Sequence, residues 1–144
     1  MEIKIIIDKE RAEEIIIYAK EKTELIEEIE NIVLQNSKEL YGFKDRTAHR
    51  LSPSDIYCFI VESNKIYAIT TNDKFLIKYR LYQLEKMMGE DFVKINQSCL
   101  ANIKKIKRFD TSVSANMKVT FKNNYTDYVS RRCVKNVKER LGLR

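Results

Sequence analysis

Apolar residues fall in short runs along most of this chain, separated by polar and charged turns. Ile3, Ile5, Ile6 and Ile7 lie within residues 2–8, and Ile15, Ile16 and Ile17 within residues 12–18, so both stretches predict short strands. Thr23 then suits a helix N-cap, with Glu24, Glu27 and Glu28 in the first turns, where the helix dipole favours negative charge. Leu25, Ile26, Ile29, Ile32 and Val33 recur at helical spacing and predict one apolar stripe running to about Asn36. Residues 1–37 thus read as a small N-terminal β-β-α unit, which buries little by itself and must pack on something else.

Beyond Ser37 the texture changes to short strands with turn signals. Strands are expected at 40–43, 46–51, 56–61, 66–71 and 74–78, with Glu62-Ser63-Asn64-Lys65 as a hairpin loop. Leu81, Leu84, Met87 and Met88 predict a helix over 79–88 that ends at Gly89. Further strands are expected at about 92–96, 103–109, 115–122 and 126–131. A short basic helix from Arg132, with Val134, Val137 and Leu141 facing inward, closes the chain. The fold class is therefore mainly β, an antiparallel sheet domain over 38–144 with short helices, preceded by the β-β-α unit.

Composition supports a packed domain. A chain of 144 residues with 44% hydrophobic residues, three glycines and one proline is neither disordered nor collagen-like. At this size folding buries roughly 68–70% of the unfolded surface, so no disulfide or metal staple is needed. Cys58, Cys99 and Cys133 are widely spaced and read as reduced thiols, with Cys99 a buried, inert one. The early acid and short apolar run of MEIKIIIDKE do not make a signal peptide, and no run approaches a membrane span, so a cytoplasmic location is expected.

Enzyme chemistry finds little to work with. His49, in TAHRL, is the only histidine and has no partner nucleophile at a recognisable spacing. With no C-x-x-C, neither a zinc site nor any other metal is expected. Gly42, Gly89 and Gly142 are too far apart for a phosphate-cradling loop, so no cofactor and no small-molecule substrate are expected. Glu27-Glu28 and Glu90-Asp91 read as solvated charge.

Charge changes the picture. Residues 1–72 hold 10 Lys/Arg against 14 Asp/Glu, whereas residues 73–144 hold 17 against 7. The basic half points to a polyanionic partner. Its cations are spread over several predicted strands and one helix, so a packed scaffold can match them to phosphate spacing. The stretch FVKINQSCLANIKKIKRF, residues 92–109, concentrates the puzzle: core-type residues surround the polar knot Asn96-Gln97-Ser98.

That stretch resembles the signature of the LytTR family of bacterial DNA-binding domains. The matching residues are Phe92, Lys94, Ile95, Asn96-Gln97, Ser98, Leu100-Ala101, Asn102 and Ile106. The helix RLYQLEKMM before it and Val129-Ser130-Arg131-Arg132-Cys133-Val134-Lys135 after it match further family features in the same order, over about residues 38–142. The resemblance implies a transcription regulator that inserts loops, not a recognition helix, into successive major grooves of double-stranded DNA. Base-reaching side chains would come from Ser63-Asn64-Lys65, from Asn96-Gln97-Ser98, and from the strand-to-helix junction with Arg131, Arg132 and Lys135. Gln97 stands where many members carry a basic or smaller polar residue. Asn and Gln suit adenine, and Arg and Lys suit guanine. Lys94, Lys104 and Lys105 are expected at phosphates, which position without specifying.

Residues 1–37 are too short for a phosphate-accepting receiver domain. The chain resembles the shorter stand-alone members, some of which work with a separate membrane protein, and a homodimer on repeated half-sites is expected. The N-terminal unit is expected first to cap a sheet edge or pack on the rest of the chain, and second to dimerise. Two alternatives stay open. One is an RNA-binding module that stacks bases on Phe59, Tyr67, Phe92 and Tyr128. The other is a protein-interaction adaptor built on the Leu25/Ile29/Val33 stripe.

Overall fold

A computed structural model describes residues 1–36, 39–110 and 117–142. The expected unit boundary at 37/38 and the expected strand start at 115 lie outside the described residues.

Helix α1 (Glu24–Asn36) comes first, capped as expected: the Ile26 N–H donates to Thr23 Oγ1 at 3.4 Å, and the Glu27 N–H to the Thr23 carbonyl at 3.0 Å. The two strands predicted before it do not form. Residues 1–23 enter no ladder and are exposed throughout. Isoleucine favours an extended backbone, but a two-stranded ribbon is marginal in water unless something covers its apolar face.

Five strands follow: β1 (Leu40–Lys44), β2 (Thr47–Leu51), β3 (Cys58–Glu62), β4 (Lys65–Ile69) and β5 (Lys74–Ile77). Helix α2 (Leu81–Met88) interrupts them, starting where Gln83 Oε1 accepts from the Arg80 N–H at 2.9 Å. Strands β6 (Phe92–Asn96), β7 (Cys99–Asn102), β8 (Ile106–Asp110), β9 (Met117–Phe121) and β10 (Thr126–Val129) lead to helix α3 (Arg131–Leu141). Strand β7 was not foreseen. The strand expected over 103–109 is instead a 3-10 turn at Ile103–Lys105 followed by β8.

Two antiparallel sheets result, ordered β2-β1-β5-β4-β3-β7-β6 and β10-β9-β8. The central strands alternate perfectly between two cores. Phe59, Phe92 and Leu100 point to one side, where Leu84 of α2 covers them with Leu40, Ile56, Ala68 and Ile77. Cys58, Ile60, Val93, Ile95, Cys99 and Ala101 point to the other, against Val119, Phe121, Val129 and Val137 from the small sheet and α3. Leu84 is wholly buried, worth roughly 1.5–3 kcal/mol for a side chain of its size. Burial on both faces explains the near-continuous apolar runs of β3, β6 and β7.

Among the described residues two polar side chains are buried, Asn102 and Thr120, and Asn102 has a structural task. Asn102 is buried; its Nδ2 donates to the Ile56 carbonyl at 2.8 Å and its Oδ1 accepts from the Lys104 N–H at 3.1 Å. It thereby caps the 3-10 turn and ends β7 at a fixed residue.

Candidate nucleic-acid interface

Strand register decides which loops meet. Ile60 of β3 pairs with Cys99 of β7, and the Val61 N–H donates to the Ser98 carbonyl at 2.9 Å. The β3–β4 turn and the β6–β7 loop therefore lie side by side. Ile66 of β4 pairs with Ile77 of β5, so Lys78, Tyr79 and Arg80 leave the sheet at the same end. The Ser130 N–H donates to the Ile95 carbonyl at 2.8 Å, which sets the start of α3 beside the end of β6. Segments distant in sequence thus share one end of the molecule.

The β3–β4 turn has two residues, Ser63 and Asn64, with φ of 52° and 62°. Left-handed φ at both central positions suits the right-handed twist of a hairpin, and Asn tolerates it well. Both residues are exposed, and Lys65 follows at the start of β4.

The β6–β7 loop is held from within. Asn96 Nδ2 donates to the Tyr128 carbonyl at 2.7 Å and to Asp127 Oδ1 at 3.1 Å, while its Oδ1 accepts from the Ser98 N–H at 2.8 Å. Both amide hydrogens are thus engaged inside the protein. Gln97 and Ser98, by contrast, are exposed at the loop tip.

An open cleft of about 740 Å³ runs between these loops, with Asn64, Lys65, Lys78, Arg80, Lys94 and Gln97 among its lining residues. Four of these are cations, and among the described residues no Asp or Glu lines the cleft. Lys78 and Arg80 escaped the sequence reading, because the strand expected over 74–78 takes in Lys78 and the helix expected over 79–88 takes in Arg80. The available signal was a pair of bases spaced by one residue directly before the capped start of α2. On the far side of the β6–β7 loop, Arg131, Arg132 and Lys135 stand exposed on the first turns of α3, while Cys133, Val134 and Val137 turn inward.

Lys104 and Lys105 are not brought together with the others. They follow β7, at the opposite end of the β6–β7 hairpin from Gln97. Lys104 Nζ lies 3.4 Å from Asp91 Oδ2, and Lys105 Nζ sits 5.2 Å from the centre of the Tyr57 ring.

Of the four aromatics considered for base stacking, Phe59 and Phe92 are buried in the core, their rings 5.7 Å apart. Tyr67 is covered by Lys74 Nζ at 4.4 Å, and Tyr128 is exposed. His49 packs its ring 5.2 Å from Phe75 on β2. The Cys99 thiol is pushed well up by its hydrogen bond with Cys58 and by burial, the opposite of an activated thiolate.

The model of the LytTr DNA-binding domain family matches residues 46–142. The chain belongs to this family. A LytTr DNA-binding domain from Bacillus cereus superposes with a TM-score of 0.70 at 16% identity, covering 75% of this chain and all of that one. Two proteins of Staphylococcus aureus, from strains MSSA476 and NCTC 8325, are 32% identical over 146 residues, covering 99% of each chain. Both are called HTH-type transcriptional regulators. In this LytTr chain, five strands separate α1 from α2 and five more separate α2 from α3, so no two of these helices follow each other across a short turn. Among the described residues no helix is long and apolar enough to cross a membrane.

Proposed function

We propose that this LytTr protein is a sequence-specific regulator of transcription that binds duplex DNA with loops set into successive major grooves. The observation that carries this reading is the convergence, through strand register, of the Ser63–Lys65 turn, the Gln97–Ser98 loop and the Arg131–Lys135 helix start at one end of the sheet. Gln97 reads a base edge from the middle loop, and Asn64 with Lys65 reads from the neighbouring turn. Arg131, Arg132 and Lys135 read or clamp on the other side, where the α3 N-terminus also favours a phosphate. Lys78, Arg80 and Lys94 supply the phosphate attraction along the cleft. Asn96 is recast from a base reader to the brace of its loop. Lys104 and Lys105 fall outside the contact set, at the far end of the hairpin.

The protein acts as a homodimer on two half-sites. A separate membrane protein as regulatory partner fits the likeness to the short stand-alone members. Duplex DNA is favoured over RNA by the burial of Phe59 and Phe92, which removes two of the four stacking platforms.

Selection from random duplex DNA tests the reading. Recovery of a repeated motif, bound with log K falling in log salt by about 0.9 per phosphate neutralised, is the expected result. Binding that is salt-sensitive yet blind to sequence would overturn it.

A further inference from the structure

The N-terminal arm carries a dense run of exposed apolar residues. Ile3, Ile5, Ile6 and Ile7 are 82, 79, 74 and 85% exposed, and Ile15 and Ile16 are 63 and 62% exposed. Leu25 and Val33 on α1 are also exposed. Meanwhile α1 is pinned to α2 through Gln83 Nε2 to Glu30 Oε1 at 2.6 Å and Lys86 Nζ to Asn31 Oδ1 at 2.5 Å. That leaves the arm and the outer stripe of α1 adjoining in sequence and both uncovered.

The pattern within the arm is that of a half-buried ribbon. A turn at residues 9–11, where the Glu10 N–H donates to Asp8 Oδ1 at 3.0 Å, separates the two isoleucine runs. Ile3, Ile5, Ile7, Ile15 and Ile17 are all odd-numbered, so two extended runs folded back at that turn put them on one face. The five isoleucines of that face expose on the order of 600 Å² of surface, the larger part of the roughly 800 Å² that one partner contributes to a standard interface.

Charge selects the occupant. Residues 1–22 carry six acids and five bases, interleaved. A near-neutral, alternating surface is complementary to itself and offers no field for DNA or an anionic bilayer. We infer that residues 2–18 are a dimerisation arm, which pairs with the arm of a second copy so that the two isoleucine faces cover one another across a two-fold axis. This rests on the homodimer proposed above and assigns its surface, away from the loops that meet DNA.

Sedimentation equilibrium of the full chain without DNA tests it, alongside the double variant Ile5→Lys/Ile15→Lys, both on the proposed face. The wild type is expected to be dimeric at micromolar concentration and the variant monomeric. The variant should keep its affinity for a single half-site while losing about 100-fold or more on a paired site. Hydrogen exchange on the wild type gives a check that needs no variant: amides 3–17 should gain protection as protein concentration rises. A wild type that stays monomeric at concentrations up to about 100 µM, or a variant that remains dimeric, overturns the inference. So does arm protection independent of concentration, which would mean packing within one chain. A dimer with no sequence preference would sink the DNA reading and leave the arm's role standing.

Discussion

The side-chain amide of Asn96 donates to the backbone carbonyl of Tyr128 at 2.7 Å, bridging residues 32 positions apart. Together with the Ser130 N–H on the Ile95 carbonyl, it fixes the β6–β7 loop against the lead-in to α3. Two of the proposed reading elements are therefore held as one piece. Asn96→Ala should lower stability by about 0.5–1.5 kcal/mol, since it removes the bonds to the Tyr128 carbonyl and the Ser98 N–H, both of which water can reach. Urea unfolding measures this, and an unchanged midpoint would show that the brace is dispensable.

Gln97→Ala should behave differently. Gln97 is exposed at the loop tip and no core contact depends on it. Its loss should cost about 1–3 kcal/mol on the selected site and little on random duplex, with stability unchanged. Equal losses on both DNAs would end its role as a base reader.

Lys78 and Arg80 should act through phosphate alone. Each single change to Ala should weaken binding by a similar factor on all sequences and reduce the salt slope by about 0.9. Titrations at several salt concentrations supply both numbers. A change in sequence preference would instead place these side chains at base edges.

The docking of α1 should respond to acid. Glu30 is held below the usual carboxylate range, first by its hydrogen bond from Lys22 and then by that from Gln83. A lowered folded value means that the unfolded chain takes up the proton more readily. The stabilisation is therefore complete above the ordinary glutamate value of about 4.3 and is lost as pH falls through the lower folded value. Hydrogen exchange, corrected for intrinsic rates, should show α1 amides losing protection below about pH 4 while those of α3 hold. Equal behaviour of the two helices would remove Glu30 as the cause.

Much of this fold was legible as alternation. The runs of β3 and β4, the turn between them and the Leu84 face of α2 follow from local pattern, because neighbouring strands bury what the pattern says they should. Strand β7 was hidden because Cys99-Leu100-Ala101-Asn102 is short and follows the polar knot directly, so no turn signal set it apart. The isoleucine runs at 3–7 and 15–17 misled in the other direction. Propensity was present, but the single chain supplies no ladder partner for them.

The residues of the candidate interface were legible by exposure and type, and less so by their neighbours. The exposed positions Gln97, Arg131 and Arg132 followed from the family motif. That Asn96 is turned inward depends on Asp127 and Tyr128, a tertiary contact that spacing does not reveal. Lys104 and Gln97 look close in sequence, yet β7 carries the chain away from the loop before Lys104 is reached. Only the register of strands separates them.

The turn at Ser63 and Asn64 has a further consequence for how such a protein can change its target. With φ of 52° and 62°, these two positions admit Gly, Asn, Asp and, less readily, Ser, and they penalise branched or bulky residues. The favoured vocabulary there is short, glycine and small polar groups, and the larger Arg46 at a φ of 65° in the β1–β2 turn marks the costlier end of it. If the turn meets DNA as proposed, new base preferences from it come most easily through Lys65, just outside the turn, or through an insertion that abolishes the turn. The middle loop carries no such backbone tax at Gln97, so substitutions that redirect the protein should accumulate there first.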